Sequence, residues 1–277
     1  MPASSILITG CSSGIGYSAA VELKKRGYRV FATARKDGDV ARLREQGFDA
    51  AKLDLRSSDS IREGFDWVMQ QSDGTLDALF NNGGYGQVGA IEDLGREQLR
   101  LQFETNFFGW HELTCLVIPV MRRQQHGRII LNGSGLGLFS LPLRGAYTAS
   151  KHAIEGWGDT LRLEMADTNI KISILEPGPI DTPFRQNSLK TLESIINKQG
   201  SFHANRYSKM IERLEVVGPA VSFTLPPEAV VKKLVHALES KHPRTRYRIT
   251  FPVIVLWYIK KCLSDRMFDR IVLRAKQ

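Results

Sequence analysis

Short apolar runs alternate along the chain with longer segments in which apolar positions recur three and four residues apart. That alternation reads as strands followed by amphipathic helices. Strands are expected over 4–9, 28–33, 50–53, 76–80, 128–132, 170–175 and 246–250. Helices are expected over 17–27, where Gly27 ends the first, and over 59–71, 100–123 and 228–239. Pro119 falls late in the third of these and is expected to bend or tighten its last turns. Asp37 or Asp39 is expected to cap a helix after the second strand. A further helix carries Ala153, Ile154, Trp157, Leu161 and Met165 on one stripe, directly after Tyr147 and Lys151. The rhythm implies βαβ units and a parallel sheet with helices on both faces. From 183 to 226 the periodicity fades into mixed polar and aromatic residues, which reads as a lid, a binding segment or a mobile stretch. The tail from 251 on, with Leu256, Ile259, Leu263, Met267 and Ile271, reads as one amphipathic helix.

At 277 residues the chain can bury a large core. No repeat, low-complexity run or linker splits it. Cys11, Cys115 and Cys262 are widely spaced and form no CxxC or Cys/His pattern. Neither a disulfide framework nor a zinc site is expected, and a reducing compartment fits. No signal peptide and no apolar run long enough to span a bilayer is visible, so a cytoplasmic location is expected. The net charge of +9 is unevenly spread. From Lys241 onward ten Lys/Arg face two Asp, leaving +8 in the tail and +1 in the remaining residues. A near-neutral body argues against a nucleic-acid partner and confines any anionic partner to the tail.

Candidate chemistry lies at the ends of the strands. The first strand enters Gly10-Cys11-Ser12-Ser13-Gly14-Ile15-Gly16 before a helix, the arrangement that cradles a pyrophosphate on glycine backbone and helix N-terminal amides. A tight strand–helix turn without a ligand is the plainer alternative. The second strand ends in Ala34-Arg35-Lys36, with no acidic residue before Asp37. An Asp or Glu there would serve the ribose hydroxyls of NAD, whereas Arg35 offers a planar fork to a 2′-phosphate. NADP(H) is therefore expected over NAD(H), against the alternative that Arg35 is a solvated surface charge. Tyr147 and Lys151 stand four apart on one helical face, which suits a proton-transfer pair; an ordinary helix-surface pair is the alternative. Asn106 sits among Phe103, Phe107 and Phe108 and is expected to face inward.

Together the glycine turn, Asn81-Asn82-Gly83-Gly84, Asn106, Ser134, Tyr147/Lys151 and Pro177-Gly178 resemble the short-chain dehydrogenases/reductases over about residues 4–250. The TGCSSGIG start and the EPGPI segment are most similar to the branch containing 17β-hydroxysteroid and retinol dehydrogenases and bacterial NADP-dependent aldehyde reductases. The resemblance implies an α/β fold, a three-layer Rossmann-type doubly wound parallel sheet in a single domain over 1–277. Its dinucleotide-binding half would be about 1–133, its catalytic half about 134–250, and a basic amphipathic extension about 251–277.

It further implies that Gly10, Ser12, Ser13, Gly14, Ile15 and Gly16 bind the pyrophosphate. Arg35 would meet the 2′-phosphate, Asp54 and Leu55 the adenine side, and Asn82 and Gly83 the adenosine. Pro177, Gly178, Ile180 and Thr182 would border the carboxamide. Tyr147 would be the general acid/base, and Lys151 would hold the nicotinamide ribose and lower the Tyr147 pKa. Ser134 would bind the substrate oxygen, and Asn106 would position a water leading from Lys151 to solvent. No metal is needed. Gly83 departs from the family's usual alanine, a change expected to be permissive. Intact Ser134, Tyr147 and Lys151 weigh against a non-catalytic NADP(H)-sensing protein, which stays the alternative, as does an NAD-dependent steroid or retinol dehydrogenase. Family members are often dimers or tetramers, so a homo-oligomer is expected.

Leu136, Leu138, Phe139, Leu141, Pro142 and Leu143 offer an apolar wall that suits a hydrophobic carbonyl or alcohol substrate, or else packs behind the site. No cluster of polar or basic residues stands out in the wall segments, so a sugar or small hydroxy acid is not expected. For the basic tail two readings stand: weak contact with a membrane surface, or docking against the body or a sister subunit.

Overall fold

The computed structural model describes residues 4–195, 200–216, 218 and 221–274. Seven strands form one sheet in the order β3-β2-β1-β4-β5-β6-β7, every neighbouring pair parallel. They are β1 (Ser5–Ile8), β2 (Arg29–Ala34), β3 (Asp49–Lys52), β4 (Ala78–Asn81), β5 (Gly127–Asn132), β6 (Ile170–Pro177) and β7 (Arg246–Ile249). Side chains alternate across each strand, so Ile6 and Ile8 face one layer and Leu7 the other. The first layer is α1 (Gly14–Lys25), α2 (Asp37–Glu45) and α9 (Glu228–Glu239). The second is α3 (Ser58–Gln71), α5 (Gly109–Gln124) and α6 (Gly145–Glu164), with Trp110, Val117 and Ile154 fully buried against the sheet. This is the three-layer, doubly wound Rossmann-type arrangement in one domain. Strand order reverses between β1 and β4, and the crevice at their C-terminal ends is where ligands bind in open α/β sheets.

The single helix expected over 100–123 is interrupted. α4 (Arg96–Phe103) passes through a π-helical segment, Glu104–Phe108, into α5, and Pro119 lies inside α5. The bulge holds Asn106, whose amide accepts from Tyr85 N at 3.1 Å and donates to Tyr85 O at 3.0 Å. Such bulges often mark functional positions. Neither Asp37 nor Asp39 caps α2. Lys36 takes that position, and both aspartates sit in the first turn, where they favour the positive helix end.

The stretch 183–226 is not irregular throughout. It contains α7 (Phe184–Ile195) and α8 (Ala204–Glu215). Tyr207, Met210 and Leu214 of α8 recur three and four apart and pack with Val88, Leu143 and Leu192. That stripe is narrow and broken by charges, which is why the periodicity is faint in sequence. The tail is two helices, α10 (Phe251–Cys262) and α11 (Asp265–Arg274), because Leu263 is extended and breaks the run. Their inner faces dock on the body: Leu256, Ile259, Phe268 and Val272 pack on Leu136, Leu138, Phe139 and Leu141. Lys260 Nζ donates to Leu138 O at 2.7 Å.

Candidate active site

The turn after β1 is built so that backbone lies where side chains would be. Gly10 and Gly14 have φ of +73° and +58°, a region costly for other residues. A Cβ on Gly16 would sit 2.3 Å from Gly10 O, and one on Gly10 would sit 2.6 Å from Gly83 Cα. The result is a cradle open to an anion, with the first amides of α1 at its floor. Thr182 closes it from above: a Cβ on Gly14 would touch Thr182 Cβ at 3.1 Å. The expected residues of the glycine turn, Gly83 and Thr182 are therefore brought together, and the cradle fits the diphosphate of a dinucleotide. At Gly83 itself an added Cβ would meet Leu55 Cδ1 at 2.9 Å, a flexible side-chain end, so little separates glycine from alanine there.

Asn82 ties this turn to β5. Its Nδ2 donates to Thr9 O at 2.9 Å, and its Oδ1 accepts from Asn132 Nδ2 at 2.8 Å. Thr9 Oγ1 accepts from the amides of Asn82 and Gly83, both at 2.9 Å. The Asn82 side chain is thus committed to holding strand ends together. Arg35 is exposed at the end of β2, close enough to Asp54 and Tyr85 for its charge to act on both. Asp54 is gripped by Arg56, with Nη2 to Oδ2 at 2.9 Å. Burial raises the Asp54 pKa, but the Arg56 hydrogen bonds and charge outweigh it and hold the carboxyl below its usual value. Arg56 was not singled out from sequence, although an Asp-Leu-Arg run made a local fork legible. Pro177 ends β6, and a Cβ on Gly178 would sit 2.2 Å from Thr250 Oγ1, so the chain after β6 is pressed against α10. Ile180 pairs with Leu225, which brings the chain before α7 against the chain before α9.

The Ser134 side chain lies close enough to the Tyr147 phenol to act on its pKa. Ser134 also caps the short turn Gly135–Gly137, accepting from Leu136 N at 3.1 Å. Burial raises the Tyr147 pKa, and Ser134 and the charge of Arg144 oppose it. The opposing charge is therefore that of Arg144 and not, as expected, that of Lys151. Burial drives Lys151 itself toward neutrality, to about 7, against the pull of Glu155. Its Nζ donates to Asn132 O at 2.6 Å and lies 4.6 Å from the Trp110 ring and 5.7 Å from the Tyr147 ring. Asn106 is buried nearby, and its amide serves Tyr85 and Ser150. Phe184, at the start of α7, places its ring 5.6 Å from that of Tyr147.

Behind Lys151 lies a buried charge cluster. Glu155 Oε2 accepts from Arg246 Nη2 at 3.0 Å, and the fully buried Glu176 pairs with Arg246 at 3.0 Å and Arg248 at 3.3 Å. Burial raises the Glu176 pKa to about 7. Arg248 stacks on Trp257 of α10 at 3.5 Å, which ties the tail to the cluster. Among the described residues no three His, Cys, Asp or Glu side chains gather as a metal site.

Residues 4–193 match the family described as short chain dehydrogenase. The chain is 41% identical over 268 residues to the uncharacterized oxidoreductase YbbO of Escherichia coli, covering 97% of this chain and 93% of that one. It is 30% identical over 257 residues to human 17-beta-hydroxysteroid dehydrogenase type 1, covering 88% and 77%. A crystal structure of an actinorhodin polyketide ketoreductase variant with NADPH superposes with a TM-score of 0.72 at 27% identity, covering 89% and 95%.

Proposed function

The chain belongs to the short-chain dehydrogenase family of oxidoreductases, and from that membership we propose an NADP(H)-dependent enzyme that interconverts a hydrophobic aldehyde or ketone with its alcohol. One observation supports it above the rest: Tyr147, beside Ser134, stands one helical turn from Lys151, whose anchor Asn132 is tied through Asn82 to the glycine turn. Gly10, Gly14 and Gly16 would hold the diphosphate of a nicotinamide dinucleotide and Ile180 and Thr182 its carboxamide, and the bound cofactor would supply or accept the hydride. The chain's own residues handle position and protons. Burial keeps the Tyr147 phenol protonated, which suits donation from Oη to a carbonyl oxygen; the reverse reaction returns that proton. Ser134 Oγ orients the same oxygen. Phe184, beside Tyr147, excludes water and favours an apolar substrate.

The choice of NADP(H) over NAD(H) rests on Arg35, free at the end of β2 where a 2′-phosphate would lie. A homodimer or tetramer in the cytoplasm is part of the same reading, since the family is typically oligomeric. No helix among the described residues is long and apolar enough to cross a membrane. A peripheral contact is favoured by the outer face of the tail, where Phe251, Ile254, Tyr258, Met267 and Ile271 are exposed beside Lys261, Arg266, Arg270 and Arg274. Turnover of NADPH and NADH against medium-chain aldehydes, retinal and keto-steroids tests the reading. Consumption of neither cofactor with any of them contradicts it.

A further inference from the structure

Three arginines that are distant in sequence are carried toward one another by α6, α7 and α8. Arg144 caps α6 three residues before the tyrosine. Arg185 follows Phe184, whose ring contacts Tyr147. Arg213 lies on α8 one turn beyond Met210, whose Sδ is 3.6 Å from Arg144 Nη2. The charges act on one another: burial and then Arg213 push Arg144 down to about 10, and burial and then Arg185 lower Arg213. The absence of a basic cluster, expected from the wall segments read one at a time, is thus corrected by the way α6, α7 and α8 converge.

These charges are poorly compensated. The Arg144 contact is a thioether, a weak acceptor. Arg185 has the Gly218 carbonyl and a distant Asp181 at 3.9 Å, and its Nη1 is buried without a partner. Among the described residues no carboxylate stands within 4.0 Å of Arg144 or Arg213. Half-buried like charges cost free energy, and an anion seated between them would relieve it. Guanidinium forks match carboxylate and phosphate oxygens in number and direction.

We propose that Arg144 and Arg213, backed by Arg185, bind an acidic group on the substrate. The substrate class then narrows to an apolar aldehyde, ketone or alcohol carrying a carboxylate or a phosphate. This rests on the oxidoreductase reading, and it is separable from it because binding can be measured without turnover.

Calorimetry on the full chain with dodecanoate, dodecyl phosphate and uncharged dodecanamide, all below their micelle concentrations, tests the site. The expected result is anion binding about 10–100-fold tighter than amide binding, the range of one or two charged hydrogen bonds. Arg213→Gln is expected to remove most of that preference and leave amide binding unchanged. Arg144→Gln is the second variant should the first fail to fold. A preference for one anion over the other assigns the head group. Equal binding of all three, or a preference that survives both substitutions and so belongs to the basic tail, overturns the proposal. In turnover, 12-oxododecanoate is expected to exceed its methyl ester about 10–100-fold in kcat/KM. Equal rates for the two overturn the acidic-group proposal alone. Absence of turnover with a retained anion preference contradicts only the oxidoreductase reading.

Discussion

Lys151 Nζ donates to the main-chain oxygen of Asn132 at 2.6 Å, although nineteen residues separate them. The bond fixes the end of β5 against α6 and so sets the distance between Ser134, which follows β5, and Tyr147, one turn before Lys151. Asn132 passes the constraint on to Asn82 and the glycine turn. Positioning is thereby shared between Ser134, Tyr147 and Lys151 on one side and the glycine turn on the other.

The buried ammonium has a thermodynamic signature. Lys151 drops from 10.5 to about 7 on folding, so between those values the unfolded chain binds more protons than the folded one. Stability therefore rises with pH across that window, and the cost is fully present below about pH 7. Lys151→Met removes it. The difference in Tm between variant and wild type is expected to be roughly 5–10 °C more favourable to the variant at pH 7 than at pH 10. Thermal melts across that range check this, and a difference independent of pH contradicts it.

Gly16→Ala tests the cradle. The added Cβ would overlap Gly10 O at 2.3 Å and Asn82 Nδ2 at 2.6 Å, so the turn must open and the Asn82 link to Asn132 must shift. Loss of roughly 1–3 kcal/mol of stability is expected, with cofactor affinity falling at least about 10-fold. Denaturant melts and fluorescence titration with NADPH measure both. Unchanged affinity would remove the turn from the binding site.

Much of the fold was legible because strand residues are continuously apolar and helices carry clear stripes, as with Ile6–Ile8 and the α6 stripe. The glycine turn, Ser134, Tyr147 and Lys151 were legible because their spacing is local. What escaped was tertiary. The use of Asn132 O by Lys151, the grip of Arg56 on Asp54, and the approach of Arg144 to Met210 of α8 depend on which elements face one another in the fold. α8 escaped because charges interrupt its narrow stripe, and the break in the tail because Leu263 suits a helix by propensity but is extended in the fold.

Arg35→Glu tests cofactor choice. Replacing the fork by a carboxylate is expected to weaken NADPH about 10–100-fold while NADH changes little. Dissociation constants for both cofactors decide it. Equal weakening would take Arg35 away from the 2′-phosphate.

The tail reading predicts that the protein floats with vesicles containing phosphatidylglycerol at low salt and not with vesicles of phosphatidylcholine alone. Ile254→Asp with Tyr258→Asp removes exposed apolar contacts without touching the inner face, and is expected to cut flotation about 10-fold. Absence of wild-type flotation at low salt rules the membrane contact out.

The most direct measurement is Tyr147→Phe, compared with wild type for NADPH binding and for NADPH oxidation with a medium-chain aldehyde. The phenol is the proton donor in this account, so the variant is expected to bind NADPH within about twofold of wild type and to lose turnover by 100-fold or more, roughly the worth of general acid catalysis. A variant that binds NADPH and reduces the aldehyde at near wild-type rates would contradict the assignment of Tyr147 and the mechanism built on it.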